Sequence, residues 1–538
     1  FRPQDCSGVR CALGLRLRSV RLQAATTKRS NLSVLMGCNL GVAKGIHALE
    51  QPDTAAVEAS GGAHRGDEEL DVLARAVSER PAVEAIVAFG DVAKVDGNEI
   101  HTIGQPEASG GTHRTEEELD ALARAFSERS ALEPIVASGD VALLRAQWLI
   151  EQKHAGKVLP KRQALPPEAV YHGPLSEGHV RIVAVSYPWC TKDHPDPEGF
   201  HLKKLGSVLE YWIKDKEYVF KKDDKPDGRV GGRCVYTLAL SREQEVAVFF
   251  DWCSLYQAPR SGEQQASFGS ALKQINMWYA SRATDVWLLT QMPPGLGELR
   301  SYDARGWTSF ERKVSELITN SSCVLDMSFA PDDLSTVQVS PHHGPWFSLA
   351  NETIGGGMRR HTSRAMPLTP EEFAIDLERK TFTNGADHGF VAKKYATTHA
   401  DLLASVTELS YCALRWRMPL QTVCDKLLVH CCRLGKLDLG QNYLTGTLDC
   451  LVSCGNLCDT LEEISLIESV LTGGLAPLVK CKKLRRLNMN GSCSIEGPIA
   501  PLSELPQLTF ACLWRLQLEG VEEYRTAHPR VELMWKPS

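Results

Sequence analysis

No apolar run in this 538-residue chain approaches the roughly 20 residues that a membrane-spanning helix needs, which excludes an ordinary helical anchor. Charge of one sign is also lacking. With 60 Lys and Arg against 66 Asp and Glu, the net charge of -6 supplies no general pull toward nucleic acid or an anionic membrane. There is no glycine-rich phosphate loop. The His and Cys groups that could ligate a metal read better as loop and core residues, so no metal is expected, and no bound cofactor is called for. Cysteine is not scarce, at 17 residues, but these include the adjacent pair Cys431-Cys432 and are scattered rather than grouped as a small disulfide framework. That distribution predicts reduced, buried thiols and a cytoplasmic protein. What remains is ordinary soluble composition, 43% hydrophobic and 23% charged, at a length that suggests roughly three to four domains.

The N-terminal third is organised by duplication. Residues 1–57 read as a disordered leader, rich in Arg16, Arg18 and Arg21 and nearly free of acid. A transit peptide shares that composition, so organelle targeting stays open. Residues 58–142 are a tandem repeat: Glu58 to Ala93 recurs at Glu107 to Ala142, an offset of about 49 residues with roughly three quarters identity. Each copy reads as an amphipathic helix (Leu70 to Val77, then Leu119 to Phe126) followed by a short strand (Ala85 to Ala88, then Pro134 to Ala137). Such a unit must stack on a neighbour to bury its apolar face, and it resembles a helical leucine-rich repeat. One histidine per copy, His64 and His113, reads as a solvated loop residue.

Residues 143–178 read as a charged linker, 331–395 as an irregular extension and 396–433 as a helical connector. Pro341-His342-His343-Gly344-Pro345, in the extension, reads as a loop. From 434 to 538 the chain repeats again. Leu444-Thr445-Gly446, Leu471-Thr472-Gly473, Ile495-Glu496-Gly497 and Leu518-Glu519-Gly520 recur at roughly 23 to 27 residues, each after a strand signal such as Leu437-Asp438-Leu439. The spacing and residue types resemble leucine-rich repeats and imply a solenoid. Cys450, Cys454 and Cys458 on one helical stripe, with Cys481, read as small core residues rather than metal ligands.

Function is written in three short blocks between residues 179 and 330. They are Val183-Ala184-Val185-Ser186-Tyr187-Pro188-Trp189, then Val248-Phe249-Phe250-Asp251-Trp252-Cys253-Ser254-Leu255-Tyr256-Gln257, then Arg305-Gly306-Trp307-Thr308-Ser309-Phe310-Glu311. Two apolar strands end in polar residues, and a Trp-Thr turn opens a helix that carries a glutamate. A helix from Leu202 to about Lys214, another from Phe268 to Tyr279 and a strand at Val286 to Leu289 complete an alternation that implies a parallel sheet covered on both faces. Ligands of such sheets bind outside the carboxyl ends of the strands, where these blocks lie. A structural reading stands beside this one. Thr308-Ser309-Phe310-Glu311 has the form of a capping box, and Asp251 the form of an Asx turn.

The order and spacing of the blocks resemble the heterokaryon-incompatibility (HET) domain, whose fold is similar to that of TIR domains. Ser186, Tyr187 and Trp189 match its first motif. Asp251 and Gln257 match the second, with Cys253 displaced by one. Arg305, Gly306, Trp307, Thr308 and Glu311 match the third, with Ser309-Phe310 in place of Leu-Gln. The resemblance implies an α/β domain of flanking helices on a parallel sheet that self-associates in defence signalling. It also implies candidate NAD cleavage, because some TIR domains cleave NAD with a helix glutamate. Glu311 would then be the catalytic carboxylate, with Ser186, Tyr187, Trp189, Asp251, Gln257, Arg305 and Trp307 lining the substrate, and NAD would be a substrate rather than a cofactor. The repeats would bind a protein partner, and the central domain a second copy of itself; nucleic acid and membrane are not expected partners. The alternative is a non-enzymatic interaction scaffold. A water-accessible pocket at Glu311 favours the enzyme, and a filled one favours the scaffold.

Overall fold

The computed structural model describes residues 114–176, 178–214, 240, 244–296, 301–320, 323–337, 364–382, 385–492 and 494–536. The leader, the first repeat copy, the charged stretch 221–232 and the His342-His343 loop lie outside them.

A five-stranded sheet forms the middle of the chain. Its strands are β1 (Leu144–Arg145), β2 (Val180–Ser186), β3 (Glu245–Phe249), β4 (Thr284–Leu288) and β5 (Val324–Asp326). Their spatial order is β1-β3-β2-β4-β5, with β1 antiparallel to β3 and every other pair parallel. The three apolar runs are therefore adjacent parallel strands, as expected. Val183 lies opposite Val248 on one side and Asp285 on the other. Alternate residues serve opposite faces. Val183, Val185, Val248 and Trp287 pack with helices Ala146–His154 and Phe200–Lys214. Ile182, Ala184, Phe249 and Val286 pack with Asn276–Ala280 and Gly306–Ile318. Burial on both faces explains why these strands read as continuous apolar runs. The chain leaves β2 along one face to reach β3 and later returns to the opposite side of β2 to form β4. The carboxyl ends of β2 and β4 therefore flank a topological switch point.

The remaining expectations need correction at several places. Pro134 to Ala137 is not a strand but part of a short helix, Glu133–Ala137, with Pro134 in its first turn, where its missing N–H costs nothing. The helix before it, Glu116–Ser127, forms as expected, with a Thr115–Glu118 capping box. Residues 143–178 are more than a linker: they supply edge strand β1 and the helix Ala146–His154, whose Lys153 pairs with Glu210 at 2.6 Å. The expected helix from Phe268 to Tyr279 is two, Gly262–Lys273 and Asn276–Ala280. The break directs Trp278 onto Phe249, with ring centroids 4.8 Å apart. The irregular extension and helical connector share one helix, Asp387–Ser405.

The C-terminal part is a stack of six short parallel strands hydrogen-bonded in chain order. They are Glu408–Ser410, Lys436–Asp438, Glu463–Ser465, Arg486–Asn488, Phe510–Cys512 and Glu532–Met534. The stack thus begins before Leu437, inside the expected connector. Leu437, Leu439, Ile464, Leu466, Leu487 and Met489 are all buried in one cluster, as are Cys450, Cys454, Cys458 and Cys481. Polar Asn442 is buried too. Its side chain donates to Tyr411 O at 2.8 Å and Leu439 O at 2.9 Å and accepts from Trp416 N at 3.0 Å, closing the turn between successive strands. The described residues are thus mixed α/β with mainly parallel sheets, and among them there is no closed barrel. No helix among them is long and apolar enough to cross a membrane.

The stack is fastened to the Glu311-bearing helix Gly306–Ile318. Tyr411, just past its first strand, donates to Leu317 O. Arg364 donates to Thr319 O at 2.9 Å and to Glu316 O, and its guanidinium lies 5.5 Å from the Tyr411 ring centre. These donors satisfy carbonyls that a helix end otherwise leaves open.

Candidate functional site

Ser186 is the last residue of β2 and is fully buried. Its Oγ lies 2.5 Å from Glu311 Oε2 and 2.7 Å from the Tyr302 hydroxyl. Glu311, in the second turn of its helix, keeps 8% of its surface exposed. The helix starts at Gly306 with Arg305 at the N-cap, so Thr308 lies inside it rather than capping it. Thr308 Oγ1 donates to Tyr302 O at 2.5 Å, and Glu311 turns away from the helix start toward Ser186. The capping-box reading is therefore wrong, because the box needs the threonine outside the helix.

Burial dominates the electrostatics. It raises the Glu311 carboxyl well above its ordinary range, the Asp251 charge adds to the rise, and hydrogen bonds from Ser186 and Tyr279 oppose it. Burial likewise raises the Tyr279 and Tyr302 hydroxyls well above theirs. Desolvation disfavours the charged form in each case.

Asp251 opens the turn after β3. It accepts from the Tyr187 hydroxyl, from Trp189 Nε1 at 3.1 Å and from its neighbour Trp252 N at 2.6 Å. The residue keeps some exposed surface, yet its carboxyl is enclosed by these three donors; burial raises its pKa while the hydrogen bonds pull it back. Its acceptor capacity is thus taken up in fixing Tyr187 and Trp189 at the end of β2. Tyr187 also stacks on Phe250 at 4.1 Å. Gln257 Nε2 donates to Asp251 O at 3.2 Å and Leu255 O at 3.0 Å, so its amide closes the loop rather than facing a ligand. Arg305 Nη2 donates to Trp189 O at 2.8 Å and ties the third block to the first.

Of the expected site residues, the structure thus brings together Ser186 and Glu311 directly, and Tyr187, Trp189, Asp251, Gln257 and Arg305 in the adjoining network. Trp307 is directed elsewhere: Nε1 donates to Asp387 Oδ2 at 3.0 Å, and its ring packs near Phe390. Tyr302 and Tyr279 were missed. Tyr302 stands three residues before Arg305, just outside the recognisable block, and Tyr279 reads as one member of an apolar helical stripe.

Cys190, beside the first block, does not compete as a nucleophile. Cys190 Sγ lies 3.6 Å from His201 Nε2, but that nitrogen is also 3.0 Å from Pro188 O, to which it can only donate. Burial pushes the Cys190 thiol up to about 11, away from the reactive thiolate.

No family model, no curated protein and no solved structure matches this chain.

Proposed function

We propose that the chain is an intracellular signalling protein of the defence or stress type, in which a HET/TIR-like domain self-associates and is a candidate for NAD cleavage, and a leucine-rich-repeat tail engages a protein partner. The observation that carries this reading is the contact of Ser186 with Glu311 at the carboxyl end of β2, beside the switch point of a parallel sheet. Breaking the nicotinamide–ribose bond builds positive charge on the ribose, and a nearby carboxylate stabilises it. Burial holds Glu311 toward its neutral form, so the ionised form has to be favoured by the substrate. A cationic nicotinamide ring entering the site does that, since a nearby positive charge favours the carboxylate. Trp189, partly exposed and held by Asp251, offers an aromatic edge for a flat ring, with buried Tyr187 beneath the same network.

A second reading, the non-enzymatic scaffold, is the one that a filled pocket at Glu311 favours. Glu311 is 92% covered and its carboxyl already has protein partners, as expected of a filled site in a scaffold that signals by association alone. Incubating the purified chain with NAD and following nicotinamide release separates the two. Release that disappears in Glu311→Gln supports the enzyme; no release under conditions where the protein self-associates leaves the scaffold.

A further inference from the structure

Glu311 and Ser186 are not an isolated pair. A serine hydroxyl has one proton to give and two lone pairs to receive. Ser186 stands between Glu311 Oε2 and the Tyr302 hydroxyl, and Tyr302 is itself only 1% exposed. Two of the proton arrangements open to these groups run in a single direction through Ser186. In one, Tyr302 donates to Ser186, and Ser186 donates to a Glu311 carboxylate. In the other, a neutral Glu311 donates to Ser186, Ser186 donates to Tyr302, and the Tyr302 proton loses this acceptor. Among the described residues, Ser186 is the hydrogen-bond partner found for the Tyr302 hydroxyl. A buried donor left unsatisfied is costly, so the second arrangement is penalised.

We propose that Tyr302 is a positioning residue: its hydroxyl donates to Ser186 Oγ and commits the single Ser186 proton to the Glu311 carboxylate. Its placement is held from two sides. Its carbonyl accepts from Thr308 Oγ1 at 2.5 Å, and its ring centre lies 5.3 Å from the Arg312 guanidinium. The other groups that face this relay are Tyr279, beside Glu311 with its hydroxyl donating to Val185 O at 3.3 Å, Asp251 just past the end of β3, and Asp303 and Asp326, which pair with Arg312. None of these takes the place of Tyr302 against Ser186.

The catalytic consequence rests on the NAD reading; the protonation consequence does not. The test is a carbon-13 NMR titration of the Glu311 carboxyl in the full chain, assigned by its loss in Glu311→Gln. Tyr302→Phe keeps the ring and its Arg312 contact and removes only the donor. It is expected to raise the Glu311 midpoint by roughly one pH unit. Ser186→Ala should raise it as well, and adding Tyr302→Phe to Ser186→Ala should move it no further, because the relay is already cut. Fluorotyrosine at position 302, a stronger donor, should lower the midpoint and covers the case in which Tyr302→Phe does not fold. Equal midpoints in wild type and Tyr302→Phe, an additive shift in the double variant, or no response to fluorotyrosine overturns the proposal. Midpoint shifts without nicotinamide release would refute the enzyme reading and leave the relay standing; release without shifts would do the reverse.

Discussion

His399 makes acid sensitivity a quantitative matter. It sits on helix Asp387–Ser405, is 2% exposed, and its Nε2 is buried without a hydrogen-bond partner among the described residues. Burial, reinforced by His430 with its ring centre 5.3 Å away, pushes the His399 pKa down to about 4, while Glu371 pulls the other way. The unfolded chain protonates this side chain near 6.5. The folded state therefore keeps its full advantage above 6.5 and loses it as pH falls toward 4, where both states are charged. One pKa unit is worth about 1.4 kcal/mol, so the whole window is worth about 3 kcal/mol, of which about 2 kcal/mol falls between pH 7 and pH 5. Hydrogen exchange along residues 387–405, corrected for intrinsic rates, reads this as a roughly thirtyfold loss of protection over those two pH units. His399→Gln does not titrate there and should lose far less. Its comparison with wild type also cancels titrations elsewhere. Parallel pH dependence in the two proteins would refute the argument that a neutral imidazole is enforced at this position.

Other outcomes follow from the same physics. Because burial penalises the charged Glu311, its favourable contribution is present at acid pH and lost as pH rises through its raised pKa, so Glu311→Gln should equal or exceed wild type in thermal stability on the alkaline side while abolishing nicotinamide release. Leu487→Ala empties a fully buried position in the stack and should cost about 2–5 kcal/mol, seen as protease cleavage of the tail at lower denaturant; Leu487→Asp should be worse, and unchanged resistance would contradict a packed stack. Asp251→Ala removes the acceptor of Tyr187 and Trp189, so nicotinamide release should fall and the Trp189 contribution to fluorescence should become more mobile, whereas Asp251→Asn should lose less.

The central strands were readable because strands buried on both faces leave runs such as Val183-Ala184-Val185, which no helical periodicity imitates. The meeting of Ser186 and Glu311 was readable for a related reason: polar residues at strand ends and helix starts converge at one edge of a parallel sheet. Elements decided by tertiary contact were less visible. Ile135-Val136 has strand propensity, but its partners are helix-side core residues and it folds as a helix turn. Leu144–Arg145 is too short to show an alternating pattern and is a strand only because β3 offers it an edge. The capping-box form around Thr308 misled because three residues, Tyr302 to Ala304, form a turn that brings the helix start forward to Gly306. Gln257 and Trp307 match the motif by identity, yet their polar atoms are satisfied by backbone and by Asp387, contacts that local sequence does not encode.

The seam between Tyr411, Arg364 and the end of the Glu311 helix has a mechanical meaning. Leu317, whose carbonyl Tyr411 holds, is six residues beyond Glu311, about 9 Å of continuous helix. An α-helix of that length behaves as a stiff rod. A displacement of the first strand of the stack that this seam carried would therefore reach Glu311 with little bending in between, where the contact with Ser186 is 2.5 Å. The tail and the carboxylate thus lie on one stiff element, joined to the stack through Tyr411 and Arg364.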